Sequence, residues 1–230
     1  MTKSHTQVAT PRHIYLSACA QIAESLGSDG YKFAKSGPHL SRMLDPFEFR
    51  ISFQSSHRNA LDKYVALWMY ANVRSAKLKE WRGQQSHPYR DDEWVAGGMV
   101  HVLRDKRPSI EWNLADRGTK VEVVETAINF IRSEVLPYFA QFVDPALLVS
   151  ELTDRQIPAF ELASSVEFAL CFGTREQARQ ILDRFSSQRE DLSGQIAQSS
   201  AAFQTKGFPP YHVTSYADQF AWVSVAYSLA

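Results

Sequence analysis

The run Phe47–Gln54, FEFRISFQ, constrains this chain more than any other. Phe47, Phe49, Ile51 and Phe53 alternate with Glu48, Arg50, Ser52 and Gln54, and a period of two places the four apolar side chains on one face of a strand. Such a strand needs a neighbour to satisfy its backbone and a layer to cover its apolar face. The neighbour follows a polar connection over residues 55–62. Residues 64–74 carry Val65, Leu67, Met69, Ala71 and Val73 on one side and Tyr64, Trp68, Tyr70, Asn72 and Arg74 on the other. The Ala, Leu and Met content would tolerate a helix, but the β-branched and aromatic residues favour a strand. Shorter strand signals surround these two. Tyr31 and Phe33 precede the turn Ser36-Gly37-Pro38, and residues 40–44 follow it. Gly97-Gly98 precedes an expected strand over residues 99–103, with His101 in its middle. Ile110, Trp112 and Leu114 alternate after a turn expected over residues 105–108.

The covering layer must come from helices. Thr10 and Pro11 read as an N-cap and first helical position, with Ile14, Ala18, Ile22 and Leu26 on one face and Gly27 expected to close the helix in the left-handed conformation. The strongest helical signal runs over residues 119–152. Val121, Val124, Ile128, Ile131, Val135 and Phe139 recur at steps of three and four. Thr119 and Glu122 have the spacing of a capping box, Pro137 is expected to kink or break the helix, and Asp144-Pro145 opens a second one. Beyond it, Leu162, Val166 and Leu170 mark a segment ending near Gly173. Thr174 and Gln177 repeat the capping-box pattern before Ala178, Ile181, Leu182 and Phe185. The Ser/Gln-rich residues 186–204 read as a loop or a solvated helix, and Tyr216, Phe220, Val223 and Tyr227 mark a final helix. Strands in succession, with helices segregated after them, point to an α+β protein: an antiparallel sheet packed against a long helix, with a helical C-terminal region. The expected division is an α+β domain over residues 1–152 and a helical extension over 153–230 packed on it.

Composition limits the function classes. With 44% hydrophobic and 22% charged residues among 230, a substantial core is available. A formal net charge of zero argues against a general nucleic-acid or anionic-membrane binder. The first ten residues contain no apolar core and no run reaches transmembrane length, so a cytoplasmic protein is expected. Cys19 and Cys171 lie far apart among Ala, Leu and Phe, and are expected to be buried free thiols, as a reducing compartment would keep them.

Three blocks carry a resemblance. They are the N-terminal helix followed by Gly30-Tyr31-Lys32-Phe33, the strand ending in Phe53-Gln54-Ser55-Ser56, and the helix ending in Val135-Leu136-Pro137-Tyr138-Phe139. In this order and spacing, over roughly residues 11–152, the chain resembles the bacterial Domain of Unknown Function 4304 family. The tail from Gly173-Thr174-Arg175-Glu176 looks like the helical extension some members carry, and the polar segment between Trp81 and Trp94 departs from the plainer family pattern. The resemblance implies a small cytoplasmic α+β protein of accessory or interaction type, including immunity partners of bacterial toxins. It implies no catalytic residue.

The residues themselves show no phosphate-binding loop, dinucleotide fingerprint, nucleophile elbow or H-E-x-x-H motif, and no cofactor or catalytic residue is expected. His87 with Asp91, Asp92 and Glu93 lies in one polar loop, and these side chains are the ligands a metal-assisted hydrolase would use; a solvated acidic run beside a surface histidine is the plainer reading. Ser55-Ser56-His57-Arg58 reads as a polar strand exit, since adjacent residues rarely reach each other as nucleophile and base. Asp105 with Glu111 and Asn113 resembles the acidic strand residues of metal-dependent nucleases, but Asn113 stands where that chemistry needs a lysine. The residues best suited to binding another protein are Trp68, Tyr70, Arg74, Trp81, Tyr89, Arg90 and Trp94, because Trp, Tyr and Arg join apolar area to hydrogen-bonding tips. The alternative for the sheet residues is that C-terminal helices cover them as core. The favoured function is therefore non-catalytic protein binding. Neither the partner nor the oligomeric state is written in the sequence.

Overall fold

A computed structural model describes residues 10–104, 108–116, 119–210 and 213–229. The fold is α+β, with a helical C-terminal region as the pattern predicts. Its strands are β1 (Lys32–Ala34), β2 (His39–Leu44), β3 (Phe47–Gln54), β4 (Ala66–Arg74), β5 (Trp94–Met99) and β6 (Trp112–Asn113), and they form one sheet in the order β1-β2-β3-β4-β5 with β6 pairing β4. The β1–β2 ladder is antiparallel with Phe33 opposite Leu40, and β4–β6 is antiparallel with Leu67 opposite Trp112. The alternation in β3 is realised residue by residue: Phe47, Phe49, Ile51 and Phe53 are buried and the residues between them are not. Val65, Leu67, Met69, Ala71 and Val73 are likewise buried. Trp68, Tyr70, Asn72 and Arg74 on the opposite face are half-buried, so they are not core.

The chain forms two compact units, each discontinuous in sequence. The first is drawn from Met1–Met43, Phe49–Ala71 and Gly98–Tyr138, the second from Leu44–Glu48, Asn72–Gly97 and Phe139–Ala230. The expected boundary at residue 152 falls inside a helix of the second unit.

In the first unit, α1 (Pro11–Leu26) starts where Thr10 accepts the His13 N–H and buries Ile14, Ala18, Cys19, Ile22 and Leu26. It ends differently from expectation. Gly27 stays right-handed and opens a 3-10 turn over Gly27–Asp29, and Gly30, with φ of 83°, is the left-handed residue that releases the chain into β1. Helix α3 (Lys120–Phe130) packs beside α1, with Lys120 Nζ 3.4 Å from Ser17 Oγ and Arg132 donating to the Ser25 carbonyl at 2.9 Å. Trp112 of β6 meets Phe130 edge-on at 5.6 Å.

The long helix corrects three expectations. Thr119 makes no side-chain cap, because its φ of −105° and ψ of −3° are helical rather than extended, so no Thr119–Glu122 box forms. Its buried face is Val124, Ala127, Ile131, Val135, Tyr138 and Phe139; Val121 is 62% exposed and Ile128 only half-buried. Pro137 does not break the helix. A π turn over Ile131–Val135 precedes α4 (Leu136–Ala140), and the Leu136 N–H reaches back five residues to Ile131.

One further element shifts. The strand expected at residues 99–103 ends at Met99. The chain then tightens into a 3-10 turn over Val100–Leu103, which holds His101, and a Cβ at Gly98 would lie 3.0 Å from Val102 Cγ2. The turn expected over residues 105–108 falls mostly outside the described residues.

The second unit is built on α6 (Leu162–Phe172), in which every side chain from Leu162 to Ala169 is buried. A helix buried over two whole turns must be surrounded. It packs with α2 (Ala76–Gly83), α5 (Pro145–Asp154), α7 (Arg175–Gln188) and α9 (Tyr216–Ala226). Phe47 stacks on Phe168 at 6.1 Å and meets Phe142 and Phe172 at 6.4 and 5.6 Å. Asp144 caps α5 as expected, and the Thr174–Gln177 capping box is complete at the start of α7. The Ser/Gln-rich stretch resolves into α8 (Ser193–Lys206), a solvated helix with no buried residue. No helix among the described residues is long and apolar enough to cross a membrane. Both cysteines are free, Cys19 buried and Cys171 half-buried.

These burial differences set a mutational order. Ile131→Ala is expected to cost about 2–5 kcal/mol. Ile128→Ala should cost clearly less, and Val121→Ala should stay within about 0.5 kcal/mol. Urea unfolding of the three variants measures it, and equal losses at Ile128 and Ile131 would refute the assigned face.

Candidate functional site

The site grows from a charge placed where charges are costly. Helix α6 reads LASSVEFALCF, and its one ionisable carboxyl, Glu167, has no exposure. Arg82, in the last turn of α2, is also fully buried. Its Nε donates to Glu167 Oε2 at 2.7 Å, and its Nη1 donates to the carbonyls of Asp92 and Trp94 at 2.9 and 2.6 Å. The other carboxylate oxygen accepts from the Tyr89 backbone N–H at 2.5 Å and from the Tyr227 hydroxyl at 2.7 Å. Tyr89 in turn donates its hydroxyl to the Val213 carbonyl at 2.6 Å. One carboxylate thus ties together the end of α2, the irregular residues 84–93, α6 and the residue that follows α9. Burial raises the Glu167 pKa above the ordinary glutamate value; Arg82, Tyr227 and Tyr89 favour the ionised form without cancelling that rise. Burial together with the neighbouring Glu167 raises Tyr227, and burial raises Tyr89.

A second tier of ion pairs surrounds this one. Arg90 lies over the Trp94 ring at 4.3 Å, bonds both Asp92 oxygens at 3.2 Å and reaches Glu161 at 3.4 Å. Asp92 also accepts the Trp94 N–H at 3.0 Å. Burial opposes ionisation of Asp92, but its bonds to Arg90 and Trp94 and the Arg82 charge outweigh it and lower its pKa. Glu93 pairs with Arg74 at 2.8 Å and Lys79 at 3.6 Å, and Arg74 also reaches Glu48 at 3.4 Å.

Beside this scaffold lies a depression of about 350 Å³, lined in part by Pro88, Tyr89, Asp91, Asp92 and Trp222. Trp222 meets the Tyr89 ring edge-on at 5.9 Å and donates its indole N–H to the His87 carbonyl at 3.2 Å. Phe208 packs on Trp222 at 4.8 Å and on the His87 ring at 4.7 Å. A second groove of about 580 Å³ shares Pro209 and Pro210 with it and runs along Phe203, Lys206 and Asp218.

The residues singled out in the sequence divide sharply. Tyr89 is 4% exposed and part of the core, so it is a strut rather than a contact residue. Trp81 is half-buried against Tyr227 at 5.7 Å, and Trp94 lies under Arg90. Arg90 and Arg74 are both engaged in ion pairs. Trp68 and Tyr70 belong to the first unit, where the Trp68 indole and the Tyr64 hydroxyl both donate to Glu111, at 2.6 and 2.7 Å. Arg74, Trp81, Tyr89, Arg90 and Trp94 belong to the second unit.

The metal alternative loses its ligands. Asp92 and Glu93 are neutralised by arginines, the His87 ring stacks on Phe208, and among the described residues no three His, Cys, Asp or Glu side chains gather to hold a metal. Asn113 is a structural residue that accepts from Val65 and Ala115, and Asp105 lies outside the described residues. Ser55 donates to the Ala66 carbonyl and accepts from Asn59, which makes it part of a turn. His101 sits in the 3-10 turn with a buried Nδ1 bonded to no described residue. Arg82, Glu167, Trp222 and Tyr227 carry the site, and only Tyr227 stood out in the sequence, as a packing residue. A lone glutamate in an otherwise uncharged helix was the available signal.

Fold and site define an α+β protein with a helical C-terminal region organised around a buried ion pair. No family model matches the chain, and no curated protein or solved structure matches it either.

Two measurements test the network. Arg82→Met is expected to cost about 3–5 kcal/mol, because it leaves Glu167 buried without its cation, and the Arg82→Met/Glu167→Leu double variant should cost less than the sum of the singles. Glu167 has a raised folded-state pKa, so its contribution to stability is complete below the ordinary glutamate range and is lost as pH rises through the folded value. Asp92 has the opposite sign and loses its contribution as pH falls. Denaturant melts across pH should therefore show a decline as pH rises from the ordinary glutamate range that Glu167→Gln removes; an unchanged slope would refute the raised pKa.

Proposed function

We propose that this chain is a non-catalytic protein that binds another protein through the rim of the depression beside Trp222. This is the accessory or immunity role, exercised in the cytoplasm, that the likeness to the Domain of Unknown Function 4304 family implies. The observation that carries the reading is the anchoring of residues 84–93. These residues have no regular secondary structure, yet their backbone is held by Glu167 at Tyr89, by Arg82 at Asp92 and by Trp222 at His87. Irregular segments inside compact domains are commonly functional. One anchored from beneath presents Pro88 and Asp91 in a fixed geometry and loses little entropy when a partner docks. The neighbouring prolines Pro209 and Pro210 stiffen the facing rim in the same way.

Photo-crosslinking tests this. A photoreactive amino acid at Asp91 or Pro210, both exposed, is expected to give one discrete protein adduct in extracts of the native cell, while the same group at exposed Asp62 in the first unit gives none. Equal labelling at the rim and at Asp62 would overturn the assignment.

A further inference from the structure

We propose that the depression beside Asp91 receives a cationic side chain, an arginine or a lysine, from the partner; the inference rests on the protein-binding reading above. Charge gives the argument its direction. Among the residues that line the depression, one cation, Arg90, stands with two carboxylates, Asp91 and Asp92. Arg90 lines the depression, but its charge is met by Asp92 and Glu161 and its guanidinium covers Trp94. Arg82 is spent on Glu167 and two carbonyls. Asp91 is different: it is exposed, it lines the depression, and it is bonded to no described residue. The depression therefore presents one unmet negative charge.

The remaining lining suits a long cationic side chain. Pro88, Pro209, Pro210 and Trp222 offer apolar surface to an aliphatic stem, which lysine and arginine pack well while their heads stay polar. An acidic occupant would meet Asp91 with like charge, and an apolar one would leave it unpaired at a closing interface, so both are disfavoured.

The test uses the full chain and short blocked peptides. Acetyl-Gly-Arg-Gly-amide, its lysine counterpart, and the uncharged isostere with citrulline are titrated while the Trp222 indole N–H resonance, assigned through Trp222→Phe, is followed by NMR. Both charged peptides are expected to shift the resonance, the citrulline peptide to bind about fivefold more weakly or worse, and Asp91→Asn to weaken the charged peptides by a similar factor. Asp91→Asn should leave the melting temperature unchanged, because Asp91 supports no fold contact. Equal binding of the citrulline peptide, indifference to Asp91→Asn, or no response at about 10 mM peptide overturns the cationic occupant. If a discrete adduct still forms at Asp91 and Pro210 in that case, the protein-binding reading stands and only this inference falls. If the rim adducts are also absent, both fall.

Discussion

The second unit depends on one interaction, the salt bridge between Arg82 and Glu167. Removing two charges from water costs several kcal/mol per ion, and their mutual attraction offsets this only when every other polar atom is also bonded. Here the bonding is extensive, although burial still outweighs it at Glu167. Glu167 accepts from Arg82 Nε, the Tyr89 N–H and the Tyr227 hydroxyl, and Arg82 Nη1 serves two carbonyls; Nη2 alone is buried without a described partner. A hydrophobic pair of similar volume would fill the space with less electrostatic cost. It could not fix the backbone of residues 84–93, because apolar contact is non-directional and hydrogen bonds are not.

That distinction links the buried charge to the surface. Residues 84–93 contribute little apolar area of their own, apart from Tyr89, and no ladder of backbone bonds. Their placement comes from donors and acceptors in the core and from Trp222, whose indole holds the His87 carbonyl. The side chains of the segment that reach the surface, half-buried Pro88 and exposed Asp91, inherit this order. Pro88 and Asp91 stand where the carboxylate beneath them puts them, and the depression keeps its shape because its lining is continuous with the core.

Local pattern made most of the fold legible. Phe47–Gln54 specifies its strand because period two and burial agree at every position, and Thr174–Gln177 specifies its cap because Thr174 is extended, as a capping residue must be. Thr119–Glu122 has the same spacing and fails because the Thr119 backbone is already helical. Spacing cannot report a dihedral angle. The site was less legible for a related reason. Glu167 meets Arg82, Tyr89 and Tyr227 across 85, 78 and 60 residues of chain, and no local pattern encodes those pairings. Tyr89 reads as a partner-contact candidate in the sequence, because an aromatic in an irregular segment reads identically whether it turns outward or inward. Arg90 and Asp92 look like free surface charges in the sequence, yet they satisfy each other.

The π turn before Pro137 bears on how this chain could change length. An ordinary helix turns about 100° per residue, so deleting one residue within Lys120–Phe130 would rotate every later side chain off its packing face. The π turn already contains one residue more than the helical register needs. Deleting Ser133 would convert the five-residue reach from Leu136 to Ile131 into the ordinary four-residue one, and would leave Val124 and Ala127 before it and Tyr138 and Phe139 after it on their present faces. The helix is thus indifferent to its own length at one turn, and strictly intolerant of such a change along the eleven residues of α3.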